Sequence, residues 1–195
     1  ATACCFAFGM LYAQPCASYD LCAIHKIKET RMSTQDTEKY LLESIRLAMG
    51  NVKGRERATW PFGAVLVRDG QVLARAVNQV DELCDPSAHA EMQALRIAAK
   101  EQGSTDLSGS VMYASGYPCT MCHTAMLLAG VKKVFVAYSN EEGEPYDLSA
   151  SRGYDELARP EDKREMPVIN HRVRDTGEDL YEGWQKAVDE DRATV

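Results

Sequence analysis

From Ser33 the chain runs "STQDTEKYLLESIRLAMGN", polar residues able to cap a helix followed by Tyr40, Leu41, Ile45, Ala48 and Met49 at helical spacing. The pattern changes at "GAVLVRDGQVLARAVN", two β-rich runs joined by Asp69-Gly70. Both residues of a tight hairpin turn need positive φ, which Asp-Gly accepts, so a hairpin is predicted. "SAHAEMQALRIAAKEQG" predicts a second helix with Met92, Leu95, Ala98 and Ala99 as its apolar stripe and Gly103 as its stop. "SVMYASG" predicts a strand. "PCTMCHTAMLLAG" predicts a third helix, with Pro118 in its first turn and Gly130 just past its end. "KKVFVAY" reads as another buried strand. Beyond the polar loop "SNEEGEPYD" come a helix around residues 149–157, a last strand in "PVINHRV" and a closing helix in "EDLYEGWQKAVDED". A hairpin followed by alternating helices and strands implies an α/β layered domain, a mixed sheet covered by helices.

The size and composition fit that outline. A chain of 195 residues suits one domain with a sizeable core, and 45% hydrophobic with 26% charged residues is ordinary for a globular protein. No run approaches the roughly 18–20 apolar residues that span a bilayer. The net charge of −7 leaves no diffuse basic field to attract nucleic acid or an anionic membrane.

The first 31 residues differ in character. They hold Cys4, Cys5, Cys16 and Cys22 of the seven cysteines, with weak periodicity and no basic segment ahead of an apolar run. Met32 looks like a natural start. Residues 1–31 are therefore expected to be a disordered upstream extension or cloning remnant, and residues 32–195 the functional domain. The body then keeps Cys84, Cys119 and Cys122, which make no disulfide framework and point to a reducing cytoplasm.

The chemistry concentrates in two short stretches. A Cys-x-x-Cys pair, here Cys119 and Cys122, can be a redox dithiol, half of a metal site, or two buried small side chains. His-Ala-Glu at 89–91, opening the preceding helix, turns the choice toward metal. Two cysteines three apart share a helix face and can grip one ion. His89 would be a third ligand, leaving a tetrahedral zinc one position for water, the pattern of a catalytic site. Glu91 beside the metal could carry protons between water and a leaving group. On an ideal helix His89 and Glu91 point about 200° apart. The motif thus requires His89 at the very start of the helix, where ideal angles do not hold.

His89-Ala90-Glu91 with Pro118-Cys119-Thr120-Met121-Cys122 has the form H-x-E…P-C-x-x-C, the signature of zinc deaminases. On these motifs the chain resembles the cytidine deaminase-like superfamily, in its branch of free-base and tRNA adenosine deaminases, from about residue 34 to 170. "PFGAVLVRDG", "NQVDELCDPSAHAE" and "LARPEDKREMPV" are similar to the small bacterial guanine deaminases within it. The resemblance implies a three-layer α/β/α fold, a mixed five-stranded sheet with helices on both faces, and a homodimer. It implies Zn²⁺ on His89, Cys119 and Cys122, with Glu91 as proton carrier.

The implied substrate is a free nucleobase, guanine or a related aminopurine or triazine. Cytosine or isocytosine, and then tRNA adenosine, are the alternatives. The resemblance further implies that Asn78 hydrogen-bonds the base, that Phe62, Ala90 and Tyr117 adjoin it, and that Glu142, with Glu141 adjacent, assists proton transfer. Trp184 or Tyr181 of the C-terminal segment would stack on it. Tyr117 departs from the glutamate that many relatives carry before Pro-Cys, and Glu142 is one methylene longer than the usual loop aspartate. The competing class is a non-catalytic zinc-binding interaction subunit, against which the presence of Glu91 counts.

Overall fold

The computed structural model describes residues 33–53, 59–169 and 180–193. The extension expected at 1–31 lies outside them. The elements in chain order are α1 (Thr34–Lys53), β1 (Gly63–Arg68), β2 (Gln71–Val77), α2 (Val80–Leu83), α3 (Ala90–Gln102), β3 (Val111–Ala114), α4 (Thr120–Leu128), β4 (Lys133–Val136), α5 (Asn140–Gly143), α6 (Ser151–Ala158) and α7 (Leu180–Ala193). The hairpin turn is as expected: Asp69 and Gly70 both take positive φ, 51° and 78°.

Among the described residues the sheet has four strands in the order β2-β1-β3-β4. β1 pairs antiparallel with β2 and β3, and β3 pairs parallel with β4. The fifth strand expected in 167–173 is absent over Pro167–Ile169, and 170–173 lie outside the described residues.

β1 is buried on both faces, which is why it reads as a continuous apolar run. Ala64 and Leu66 join Met112, Ala94, Leu95, Ala98, Cys122 and Met126 in the core beneath α3 and α4. Val65 and Val67 join Tyr40 and Tyr113 beneath α1. The result is three layers, helix on sheet on helix. Gly63 permits the close approach of α1: a Cβ there would collide with the Ser44 carbonyl and stand 2.8 Å from the Ala48 nitrogen. No helix among the described residues is long and apolar enough to cross a membrane.

The sheet gathers several chain segments at one end. The Asn78 N–H donates to the Phe62 carbonyl at 3.0 Å, extending the β1–β2 ladder by one step. Ser115 donates its N–H to the Gly63 carbonyl (2.9 Å) and accepts the Gly63 N–H on Oγ (3.0 Å). Phe62, Asn78 and Gly116 are thereby brought side by side, next to the starts of α3 and α4.

Candidate active site

His89 is the N-cap of α3 and Cys119 the N-cap of α4, both in extended conformation (ψ 156° and 168°). Neither side chain caps its helix. Helices are normally opened by Ser, Thr, Asp or Asn. Here the capping positions are given to residues whose side chains turn away into the site. The expectation of Pro118 inside the first turn of α4 is corrected: the helix starts at Thr120, so Pro118 precedes the N-cap. The extended backbone at His89 also resolves the 200° problem, because His89 is not on the helix that carries Glu91.

The side chains converge tightly. His89 Nδ1 lies 3.5 Å from Cys119 Sγ and 3.6 Å from Cys122 Sγ, and the two sulfurs are 3.6 Å apart. A tetrahedral zinc with bonds of about 2.3 Å to sulfur and 2.0–2.1 Å to nitrogen sets its ligands ~3.5–3.8 Å from one another. The three residues fit that triangle. Among the described residues they form a cluster without a fourth histidine, cysteine or carboxylate ligand. Cys84 is exposed at the end of α2, and the His123 ring pairs with Tyr154 instead.

The electrostatics fit a cation as well. Cys119 is held down to about 4, first by its hydrogen bond with Cys122 and also by His89. Cys122 is pushed up, by the proton it shares with Cys119 and by burial. The sulfurs thus hold one proton where a dication would let both be thiolates. The bond to Cys119 raises His89, against the burial that lowers it.

Glu91, in the first turn of α3, is 6% exposed and its Oε2 lies 3.6 Å from Cys122 Sγ. Burial pushes its carboxyl up, toward the protonated form.

His89, Glu91 and Cys119 open onto a cavity of about 290 Å³ walled by Trp60, Phe62, Asn78, Tyr117, Asp147 and Leu148. Asn78 is 2% exposed and its Oδ1 accepts the Val80 N–H at 3.2 Å, so its amide turns a donor toward the cavity. Phe62 and Tyr117, expected at the base, are in the wall. Ala90 is fully buried in the core and does not line the cavity. Trp184 is 60% exposed on α7 and is likewise absent from the lining.

Glu142 stands elsewhere. It caps α5, accepting the Ser139 N–H at 2.7 Å while Ser139 Oγ accepts the Glu142 N–H. It lines a neighbouring cavity of about 240 Å³ that shares Phe62, Tyr117 and Leu148 as a partition. The acid of this loop that lines the first cavity along with His89 and Glu91 is Asp147, in left-handed conformation at φ 58°. Sequence reasoning missed Asp147 and Trp60. For Asp147 the one local signal is its type, since aspartate tolerates left-handed turns better than most residues. Trp60 had no signal beyond its place beside Pro-Phe-Gly.

Comparisons with known proteins agree with this geometry. Residues 34–138 match the family model of the cytidine and deoxycytidylate deaminase zinc-binding region. The chain is 35% identical over 130 residues to the guanine deaminase of Bacillus subtilis (strain 168), covering 67% of this chain and 82% of that one. It is 35% identical over 120 residues to the tRNA-specific adenosine deaminase of Aquifex aeolicus (strain VF5), covering 61% and 72%. The crystal structure of guanine deaminase from Bacillus subtilis superposes with a TM-score of 0.69 at 31% identity, over 80% of this chain and 95% of that one.

Proposed function

The chain belongs to the cytidine and deoxycytidylate deaminase family and is a zinc-dependent deaminase, and from that premise we propose that it deaminates a free nucleobase, guanine or a related aminopurine or triazine. The observation that carries the free-base choice is the reach of the structural likeness. The match to guanine deaminase has a TM-score of 0.69 over 80% of this chain, whereas that to a tRNA A34 deaminase of known structure has 0.52 over 69%. A homodimer in the cytoplasm belongs to the same proposal.

In this proposal His89, Cys119 and Cys122 hold the zinc. A zinc held this way supplies Lewis acidity and makes water a nucleophile near neutral pH. The chain's own residues do the rest. The Asn78 amide donates to an acceptor on the base and sets its rotation about the pocket axis. Phe62, Trp60 and Leu148 supply flat apolar walls that exclude bulk water. Glu91 accepts one proton of the attacking water and passes it to the ring nitrogen; the second proton of that water, carried by the new hydroxyl, goes to the departing amine. The C–N bond breaks as the carbon–oxygen bond becomes a carbonyl, and ammonia leaves. A carboxyl raised by burial suits this work, because it holds a proton more readily than an ordinary carboxylate and can then return it. Asp147 is a second acid lining the pocket, and in this proposal it relays the hydroxyl proton to the leaving amine.

A panel of guanine, ammeline, cytosine, isocytosine, adenine and their nucleosides, scored by ammonia release, tests the proposal. Fast release from guanine or ammeline is expected, and release from cytosine or isocytosine alone would overturn the purine choice. The second substrate class is tRNA adenosine, favoured by the equal 35% identity to the Aquifex enzyme. Inosine formation in tRNA with no release from any free base would replace the first choice by the second.

Pocket depth gives another test. A Cβ on Gly116 would stand 2.7 Å from Phe62 Cε1, so the ring rests on the bare backbone. Gly116→Ala is expected to push the Phe62 ring aside and lower kcat/KM by about 10-fold or more, the scale of one misplaced methylene in a binding pocket. The loss should fall mainly on KM, with zinc content unchanged, as steady-state kinetics and metal analysis would read it.

A further inference from the structure

The cysteine half of the site is held from outside by a residue that neither motif contains. Tyr154, on α6, points its hydroxyl at both ends of the Cys-Thr-Met-Cys turn. It donates to the Pro118 carbonyl at 3.0 Å, immediately before Cys119, and pairs at 3.1 Å with Nδ1 of His123, immediately after Cys122. A phenol has one proton and a carbonyl can only accept, so the proton goes to Pro118. His123 must then carry hydrogen on Nδ1 and donate it to the phenol oxygen.

The ring is engaged too. Its centroid lies 5.9 Å from that of Tyr117 and 6.3 Å from that of His123, both edge-on at 66°. Gly153 faces Thr120 in the first turn of α4, where a Cβ would stand a tight 3.1 Å from Oγ1. One side chain on a separate element therefore ties the residue before the first ligand to the residue after the second, and braces a wall of the pocket.

We propose that Tyr154 is a positioning residue for the metal site, fixing the separation and aim of Cys119 and Cys122 through its bonds to Pro118 and His123. It belongs neither to the His89, Cys119 and Cys122 cluster nor to the cavity lining. Partners bonded to the ligands themselves typically govern metal affinity by about 10- to 100-fold, and a tie to the residues flanking both cysteines is expected to act on that scale. Because Cys119 sits at an N-cap and not inside the helix, the helical ladder alone does not orient it, and a tie at Pro118 has most leverage there. The inference rests on the assignment of zinc to His89, Cys119 and Cys122.

The test is zinc affinity by chelator competition, with the absorption spectrum of the cobalt-substituted protein as a second readout. Wild-type protein that binds one zinc and shows sulfur-to-cobalt charge transfer supports the zinc assignment independently; its failure to do so would sink that assignment and not the brace alone. Tyr154→Phe keeps the ring and removes one oxygen. It is expected to weaken zinc binding about 10- to 100-fold and to shift the cobalt ligand-field bands. His123→Ala, which leaves the Pro118 bond, should weaken binding less. It carries the same test if the phenylalanine variant does not accumulate folded. Zinc affinity within about threefold of wild type and an unchanged cobalt spectrum, with only the melting midpoint lowered, would overturn the proposal.

Discussion

Glu91→Gln is expected to keep its zinc and lose its turnover. General acid–base catalysis typically contributes about 10²–10⁴-fold, and the amide can neither take nor return a proton, so kcat should fall by at least that factor. The fold should not suffer. Glu91 is buried and its carboxyl is pushed up by that burial, so ionising it works against the folded state, and a neutral side chain of the same shape removes the cost. The melting midpoint of the zinc-free variant is therefore expected to hold or rise. Three measurements separate the roles: ammonia release, zinc per chain after dialysis, and thermal melting. Appreciable turnover would remove Glu91 from proton transfer, and loss of zinc would make it part of the metal's hold.

The second large effect is expected at Cys122. This residue is a proposed ligand and also part of the core, 0% exposed among Ala94, Met112 and Met126. Cys122→Ala removes one of three protein ligands. Losing a ligand should cost more than the ~10–100-fold typical of an outer partner, enough to strip zinc during dialysis against a chelator. Ammonia release should fall below detection, and the charge-transfer band of the cobalt-loaded protein should fade. Cys84→Ala, at an exposed thiol outside the cluster, should change neither quantity and serves as the control. Retention of stoichiometric zinc by Cys122→Ala would overturn the ligand set.

Local signals served well where the physics is local. The hairpin was legible in Asp69-Gly70 because the positive φ of both residues is a property of the turn itself. The end of α3 was legible in Gly103, which takes φ 61° at the C-cap. The short helices α2 and α5 were not, since four residues carry no periodicity. The fifth strand expected in "PVINHRV" shows how an apolar run can resemble a strand yet remain irregular over Pro167–Ile169. Strand formation needs an edge to pair with, and no property of the run itself supplies one.

The site divides in the same way. The cluster of His89, Cys119 and Cys122, with Glu91 beside it, could be expected from the chain because metal ligation demands particular side-chain types, and each pair sits within one turn of chain. Which cavity Glu142 and Asp147 each line could not. The loop offers Glu141, Glu142, Glu144 and Asp147 within seven positions, and their types do not say which faces the pocket. The capping box at Ser139 engages Glu142, and the left-handed turn at Asp147 sets that residue in the pocket wall. Which atoms meet across the pocket depends on how separate segments pack, a matter of distances that no spacing along the chain encodes. Chemical type is carried by each residue alone, so the reaction could be read from the chain. The reach of α6 to Pro118 and His123, the partition at Phe62 and the place of Asp147 came from packing.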